Sequence, residues 1–401
     1  MSILPGENMC TNTDEMKEMA ARICRDYLHG AWKNITAEEI GFKRISGGLS
    51  NWLYHVWLPE NKLKDQNQNI SSSPPEQSLN EDEPNQVLLR VYGQVHGERA
   101  LEHLITESVI FTLLSERRMG PRLHGIFPGG RIEQYINARP LTTTELSIPS
   151  ISRQIANKMG IIHSMDIPIS KEPQWIWKTA ERWINTVETC VVKDQKCRTQ
   201  YNEQILKIKN YDLKNELIWL QQYVNNLKSP VVFCHNDMQE GNILIQQQNA
   251  CTDETVTSSI GDNDQLILID YEYCSYNYRG FDMANHFLEW TYEYTNPEYP
   301  FFYELPNNYP TKEQQLNFIQ EYIKVTGTTS EPSEILTEIR VFSLASHFFW
   351  GLWGCANAPL SQIPFGYWDY AESRLDAYFK LKDDLTSSQV IATKRNLHDT
   401  D

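Results

Sequence analysis

Apolar and polar positions divide this 401-residue chain into a strand-rich first third and a helix-rich remainder. Helical spacing of apolar residues predicts a first helix over Thr13–Lys33 and another from about Ala100 to Arg118. Between them, strand-like runs fall around 42–58 and 87–92. A strand pair follows in LHGIFPGG and RIEQYI, joined by a Pro-Gly-Gly turn. From Ser150 the spacing is mostly helical, over Ile151–Met165, Trp175–Val192, Glu203–Asn226, Lys312–Val325, Pro332–Trp353 and Tyr367–Lys382. A strand–loop–strand island interrupts it at 231–271. This order predicts two lobes: residues 1–136, small and β-rich, and residues 137–401, larger and mainly helical, with the boundary near Asn137–Arg139. Side chains from both halves would then meet in a cleft.

Three stretches carry almost nothing to bury. Asn61–Gln86 is rich in Pro, Ser and Asn, Gln246–Gln265 is similar, and the tail after Leu381 is strongly polar. Strand-like runs flank each internal stretch, Trp52–Leu58 and Val87–Tyr92 around the first, Asn242–Ile245 and Leu266–Ile269 around the second. Each reads as a mobile hairpin connection grown long, which costs little because loop-closure entropy rises slowly with length.

Composition narrows the class. With 40 % hydrophobic and 22 % charged residues the chain can bury a large core. Its formal charge of −16 argues against gripping nucleic-acid backbones and against docking on anionic lipid. An acidic surface suits cationic small molecules, although solubility alone would also account for it. The eight cysteines are scattered without a C-x-x-C pair and read as reduced thiols. The first residues lack a basic, apolar leader, and no apolar run approaches the roughly 20 residues of a membrane span. The expected address is the cytoplasm, without membrane insertion.

The densest chemistry lies in VVFCHNDMQEGNILI, residues 231–245, where two apolar runs bracket a polar turn. Asp237 and Asn242 are five apart, the spacing of H-R-D-x-x-x-x-N in protein kinases. There the Asp accepts the substrate hydroxyl proton and the Asn holds magnesium. Twenty-eight residues later, LILIDYEY ends an apolar strand in Asp270, where a kinase keeps its magnesium-holding carboxylate. One match alone would fit a surface turn; the ordered pair points to phosphoryl transfer. Upstream, Ile45-Ser46-Gly47-Gly48-Leu49-Ser50-Asn51 places two glycines between strands, where backbone N–H groups can approach phosphate oxygens. It is not a Walker A motif, and alone it would fit a plain hairpin turn. VLLRVYG sets Arg90 on a strand as V-A-I-K sets the kinase lysine. Glu107 shares a helical stripe with Leu104, Phe111 and Leu114, so an Arg90–Glu107 ion pair is expected; the alternative is a glutamate snorkelling at its helix edge.

Together HNDMQEGNILI, IDYEYCSYNYRGFDMANHFLEW and ISGGLSN resemble the choline/ethanolamine kinase family, and Gln239-Glu240-Gly241 resembles its choline kinase branch. The resemblance runs from about Trp32 to Lys382 and takes in VLLRVYG, RIEQYINARPL, KEPQW, HFFWGLW and FGYWDYAESRLDAYF. It implies a bilobal, protein-kinase-like α+β fold, ATP and Mg2+ as cofactors, and a homodimer. It also implies phosphorylation of choline to phosphocholine, the first step of phosphatidylcholine synthesis by the CDP-choline route, with some ethanolamine kinase activity. By the same resemblance Asp237 is the general base, and Gln239, Asn242 and Asp270 stand at the magnesium–phosphate end. Ile45–Asn51, Arg90 and Glu107 serve the nucleotide phosphates, and Gln134, Tyr135, Ile136, Asn137, Ala138, Arg139 and Pro140 form the hinge near adenine. The stretch Asn137–Pro140 is less basic than is usual in vertebrate relatives, which matters little where hinge contacts are made by backbone.

A quaternary ammonium donates no N–H bond, so a site recognises it with aromatic faces and a carboxylate. Trp350 and Trp353 share a helix face, Tyr370 lies on the next helix, and Tyr273, Glu289 and Tyr294 precede them; the resemblance places these six around the alcohol. Any single tryptophan here would otherwise read as core. His235, Tyr276 and His286 read as structural, and Arg279–Asp282 as an ion-pair turn. Two competing readings are a catalytically dead binding or scaffold protein, against which Asp237, Asn242 and Asp270 speak, and a kinase for a different amino alcohol or a cationic antibiotic, as in the aminoglycoside phosphotransferases, against which Trp350, Trp353 and Tyr370 speak.

Overall fold

The structure, a computed structural model, describes residues 13–45, 51–60, 62, 83–92, 98–191, 201–246, 265–361 and 363–398. Of these, 98–103, 190–191, 202 and 388–398 are described as backbone alone. The turn 46–50 and most of the two long polar stretches therefore lie outside the described residues. The chain divides into two compact units, 1–138 with 267–269, and 139–266 with 270–401.

In the first unit, helix α1 (Thr13–Tyr27) precedes strands β1 (Gly41–Ile45), β2 (Asn51–Trp57) and β3 (Gln86–Tyr92), helix α2 (Glu98–Glu116), and strands β4 (Leu123–Phe127) and β5 (Gly130–Gln134). The strands form one antiparallel sheet of order β1–β2–β3–β5–β4. Alternation decides its faces. Tyr54, Val56, Val87, Leu89 and Ile132 are buried in one cluster with Ala20, Ala21 and Cys24 of α1 and with Trp32. The helix expected over Thr13–Lys33 ends at Tyr27, and a 3-10 turn at Gly30–Asn34 begins with Gly30, whose φ of 54° no other residue type adopts as cheaply.

The same alternation puts Arg90, Arg131 and Glu133 together. Register pairs Arg90 with Arg131 directly across β3 and β5. Two adjacent buried guanidiniums need a carboxylate between them. Glu133, two residues along β5, supplies it: its Oε1 accepts from Arg90 Nε and from Arg131 Nε, both at 2.7 Å. The expected Arg90–Glu107 ion pair is accordingly replaced by a relay, in which Arg131 Nη1 donates to Glu107 Oε1 at 2.7 Å and lies over the Phe111 ring. Two opposing charges hold Glu133 ionised against its own burial.

In the second unit, β6 (Arg139–Pro140) leads to α3 (Pro149–His163), α4 (Trp175–Thr186), α5 (Asn202–Lys209) and α6 (Leu213–Asn225). The single helix expected over Glu203–Asn226 is broken at Asp212, whose φ is 42°. Strands β7 (Val231–Cys234), β8 (Ile243–Gln246), β9 (Gln265–Leu268, of which 267–268 count with the first unit) and β10 (Ser275–Tyr278) make up the island. Helices α7 (Arg279–Glu289), α8 (Lys312–Thr326), α9 (Pro332–Asn357) and α10 (Tyr367–His398) complete it. From Ile339 to Leu352 nearly every side chain of α9 is buried, because α7 and α10 cover it on both sides. Gly280 permits the close approach of α7; a Cβ there would lie 2.5 Å from the Phe342 ring.

Candidate active site

One register explains the site. Antiparallel pairing sets Cys234 of β7 opposite Ser275 of β10. The loop after β7, which carries Asp237, therefore runs beside the loop before β10, which carries Asp270 and Tyr273. Asn236 pins the two together: its Nδ2 donates to Tyr273 O (2.8 Å) and Ser275 Oγ (2.9 Å), and its Oδ1 accepts from Asn277 (2.8 Å). Asn236 and Asp270 have φ of 67° and 64°, a left-handed conformation that Asn and Asp tolerate better than most side chains.

Helix α7 then returns over the loop. Asp282, fully buried, accepts the backbone N–H groups of His235 (3.0 Å) and Asn236 (2.8 Å) and pairs with His163 at 2.9 Å. Arg279 binds Glu338 of α9 instead. The expected ion-pair turn is thus the first turn of a helix whose two charges serve different partners. His286 Nδ1 bonds Met238 O at 2.8 Å and Tyr276 OH bonds the Ile167 backbone, so both are structural as expected.

Asn242 Nδ2 donates to Asp237 twice, to Oδ2 at 2.8 Å and to the backbone O at 2.9 Å, closing the five-residue spacing into a ring. Burial and the negative charges of Glu289, Asp270 and Glu272 push the Asp237 carboxyl well above the usual range. Gln239 Oε1 caps its own turn by accepting Gly241 N at 2.8 Å. Next to it, Glu240 is buried and pushed up to about 8 by desolvation and by Glu289.

The aromatic residues form a belt. Tyr273 meets Trp350 edge-on at 5.4 Å, Trp350 meets Trp353 at 5.9 Å, Trp353 meets Tyr370 at 5.8 Å, and Tyr370 meets Tyr294 at 6.3 Å. Tyr273, Trp353 and Tyr294 keep part of their surface accessible, whereas Trp350, Tyr370 and Glu289 are buried. Glu289 accepts from Tyr294 OH at 2.8 Å and also from Arg374, which sequence reasoning missed. Of the nucleotide-side residues, Ile45 pairs with Leu53 and Asn51 with Tyr92. Tyr135 stacks on His55 at 3.5 Å, Ala138 N bonds Ile136 O, and Arg139 forks onto Glu145. Ser46, Gly47, Gly48, Leu49 and Ser50 lie outside the described residues.

His286 yields a pH prediction. Burial lowers its pKa to about 4, against 6.5 when exposed, so the unfolded chain binds the extra proton between those values. Its contribution is complete above pH 6.5 and is lost as pH falls through 4, by up to about 3 kcal/mol. His286→Gln should flatten the melting temperature over this window; a slope equal to that of the unmodified protein would show that other groups carry it.

Residues 42–379 match the family described as choline/ethanolamine kinase. A human choline/ethanolamine kinase is 43 % identical over 384 residues, covering 93 % of this chain and 88 % of its own. Choline kinase A2 of Caenorhabditis elegans is 40 % identical over 387 residues, covering 92 % and 86 %. Among solved structures, a choline kinase from Cryptosporidium parvum Iowa II superposes with a TM-score of 0.69 at 27 % identity, covering 94 % of this chain and 98 % of that one. The architecture is the protein-kinase-like α+β fold.

Proposed function

The chain belongs to the choline/ethanolamine kinase family, and on that premise we propose that it transfers the γ-phosphoryl of ATP to the hydroxyl of choline, with ethanolamine as a second acceptor. The product is phosphocholine, which opens the CDP-choline route to phosphatidylcholine. One observation carries the assignment of roles: Asp237, a candidate base, is raised by burial and by the charge of Glu289, the carboxylate bonded to Tyr294 of the aromatic belt. A cation held in the belt would bring its β-hydroxyl to Asp237. Its charge would also lower the Asp237 pKa toward the ionised, proton-accepting form. Asn242 holds that carboxylate in place, and the anchor from Asp282 to the loop backbone fixes both.

The donor set suits magnesium. Asp270 and Asn242 offer the hard oxygens that Mg2+ prefers, and beside the burial that mainly raises Asp237, the nearby carboxylates Glu289, Asp270 and Glu272 add negative charge that a divalent cation would relieve. When bound, magnesium neutralises the charge of the phosphates. Gln239, its oxygen already accepting Gly241 N, is better suited to holding the loop. By the family resemblance, Arg90 at the end of the Glu107–Arg131–Glu133 relay and Ile45–Asn51 are assigned to the nucleotide phosphates and Gln134–Pro140 to adenine. A reducing cytoplasm suits the free, buried thiols of Cys24, Cys234, Cys274 and Cys355. Among the described residues, no helix is long and apolar enough to cross a membrane.

Coupled ADP release with choline, ethanolamine and an aminoglycoside tests the reading. Turnover should be fastest with choline, slower with ethanolamine and absent with the aminoglycoside; no ADP from choline would overturn it. The belt has its own test. Trp353→Leu keeps an apolar side chain but removes the π face, worth on the order of 0.5–2 kcal/mol per cation contact. The Michaelis constant for choline should rise several-fold or more while that for ATP changes little. Trp350→Leu is the less clean variant, because Trp350 Nε1 also donates to Asn285 at 2.7 Å. If Trp353→Leu melts lower yet binds choline normally, the residue is packing.

A further inference from the structure

Glu289 is the carboxylate that would balance a substrate cation, yet it already has a cationic partner within the protein. Arg374, on α10 and fully buried, donates from Nη2 to Glu289 Oε1 and from Nε to Tyr370 OH at 3.0 Å. Tyr294 OH donates to the other oxygen of Glu289 at 2.8 Å and lies 3.3 Å from Tyr370 OH. Glu289, Tyr294, Tyr370 and Arg374 therefore form a closed ring of polar contacts, with the guanidinium seated 3.9 Å over Tyr292. Both oxygens of Glu289 have a donor before any substrate arrives.

That occupancy treats two ammonium types differently. A primary ammonium has three N–H groups, and leaving water costs it unless acceptors replace the water. Here each oxygen of Glu289 already accepts one bond, from Arg374 or from Tyr294, and the guanidinium offsets part of the pull the carboxylate would exert on a second cation. A trimethylammonium needs no acceptor and takes its stabilisation from the ring faces of Trp353, Trp350 and Tyr370. We infer that Arg374 is a specificity-determining positioning residue: by occupying Glu289 it handicaps primary ammonium groups and leaves the site tuned to quaternary ones. The inference rests on reading the belt as the cation site of a choline/ethanolamine kinase. It differs from a direct counter-charge role for Glu289, in which Arg374 would be scaffold.

Calorimetry on the whole protein with choline and with ethanolamine, read as a mutant cycle, separates the two. Arg374→Met frees Glu289, and the ratio of ethanolamine to choline affinity should rise at least roughly tenfold. Glu289→Gln leaves a buried guanidinium uncompensated, so choline affinity should fall at least roughly tenfold. Combining both changes leaves no unpaired charge, so the double variant folds if either single one struggles, and it should recover most of the choline affinity. A ratio within roughly threefold of the unmodified protein in a folded Arg374→Met overturns the inference. So does a double variant that binds choline as poorly as Glu289→Gln alone. Binding is read without turnover: if neither alcohol yields ADP the functional reading falls, while the change in cation preference still decides the role of Arg374.

Discussion

Asp237→Ala is expected to lower turnover at least roughly a hundredfold, the usual contribution of a positioned general base, in a protein that folds as well as the original or better. Both halves of that expectation come from the site. The carboxylate is the group that can take the hydroxyl proton, and Asn242 fixes its Oδ2 at 2.8 Å. The fold does not depend on it. Asn242 keeps its second bond, to the Asp237 backbone O at 2.9 Å, and the loop stays anchored by Asp282 to the N–H groups of His235 and Asn236. Removing the carboxylate also removes repulsion from Glu289, Asp270 and Glu272. Melting temperature should therefore stay level or rise while choline turnover collapses. Near-normal turnover in the folded variant would take Asp237 out of the chemistry.

This pattern, activity traded against local electrostatic strain, also explains what the sequence made legible. Asp237, Asn242 and Asp270 could be found because their relation is short-range: five residues within one turn, and a carboxylate at the end of an apolar strand. The aromatic belt was legible more weakly, through Trp350 and Trp353 three apart on one helix. Arg374 was not, since its partner Glu289 lies on a different helix and only the packing of α10 brings them together. The same limit explains the nucleotide-side ion pairs. Arg90 looked as though it needed Glu107, but strand register places Arg131 opposite it and makes Glu133 the shared partner. The R-x-E spacing in RIEQ, which puts two opposite charges on one strand face, was the available signal. Helix limits failed for local reasons: the chain turns extended at His29 and left-handed at Gly30 after the first helix, and left-handed Asp212 breaks the second, where apolar spacing alone would continue.

Asp270→Asn tests the metal side of the same site and should also nearly abolish turnover. Asparagine has the size of aspartate and tolerates the left-handed φ of 64° found there, so the loop should hold its course. The change removes one negative charge from the group surrounding Asp237, which again favours the fold. What it withdraws is an anionic oxygen for magnesium. Losing even an outer partner of a bound metal costs roughly 10–100-fold in affinity or activity, so a direct ligand should cost at least as much. Two readings distinguish this from general damage. The magnesium concentration giving half-maximal rate should rise at least roughly tenfold, with excess magnesium restoring only part of the activity, because the neutral amide oxygen remains a weaker ligand. Choline binding measured by calorimetry without nucleotide should stay close to that of the unmodified protein, since the belt and Glu289 are untouched. A folded Asp270→Asn protein with unchanged magnesium dependence would place the metal elsewhere and leave Asp270 as a loop residue alone.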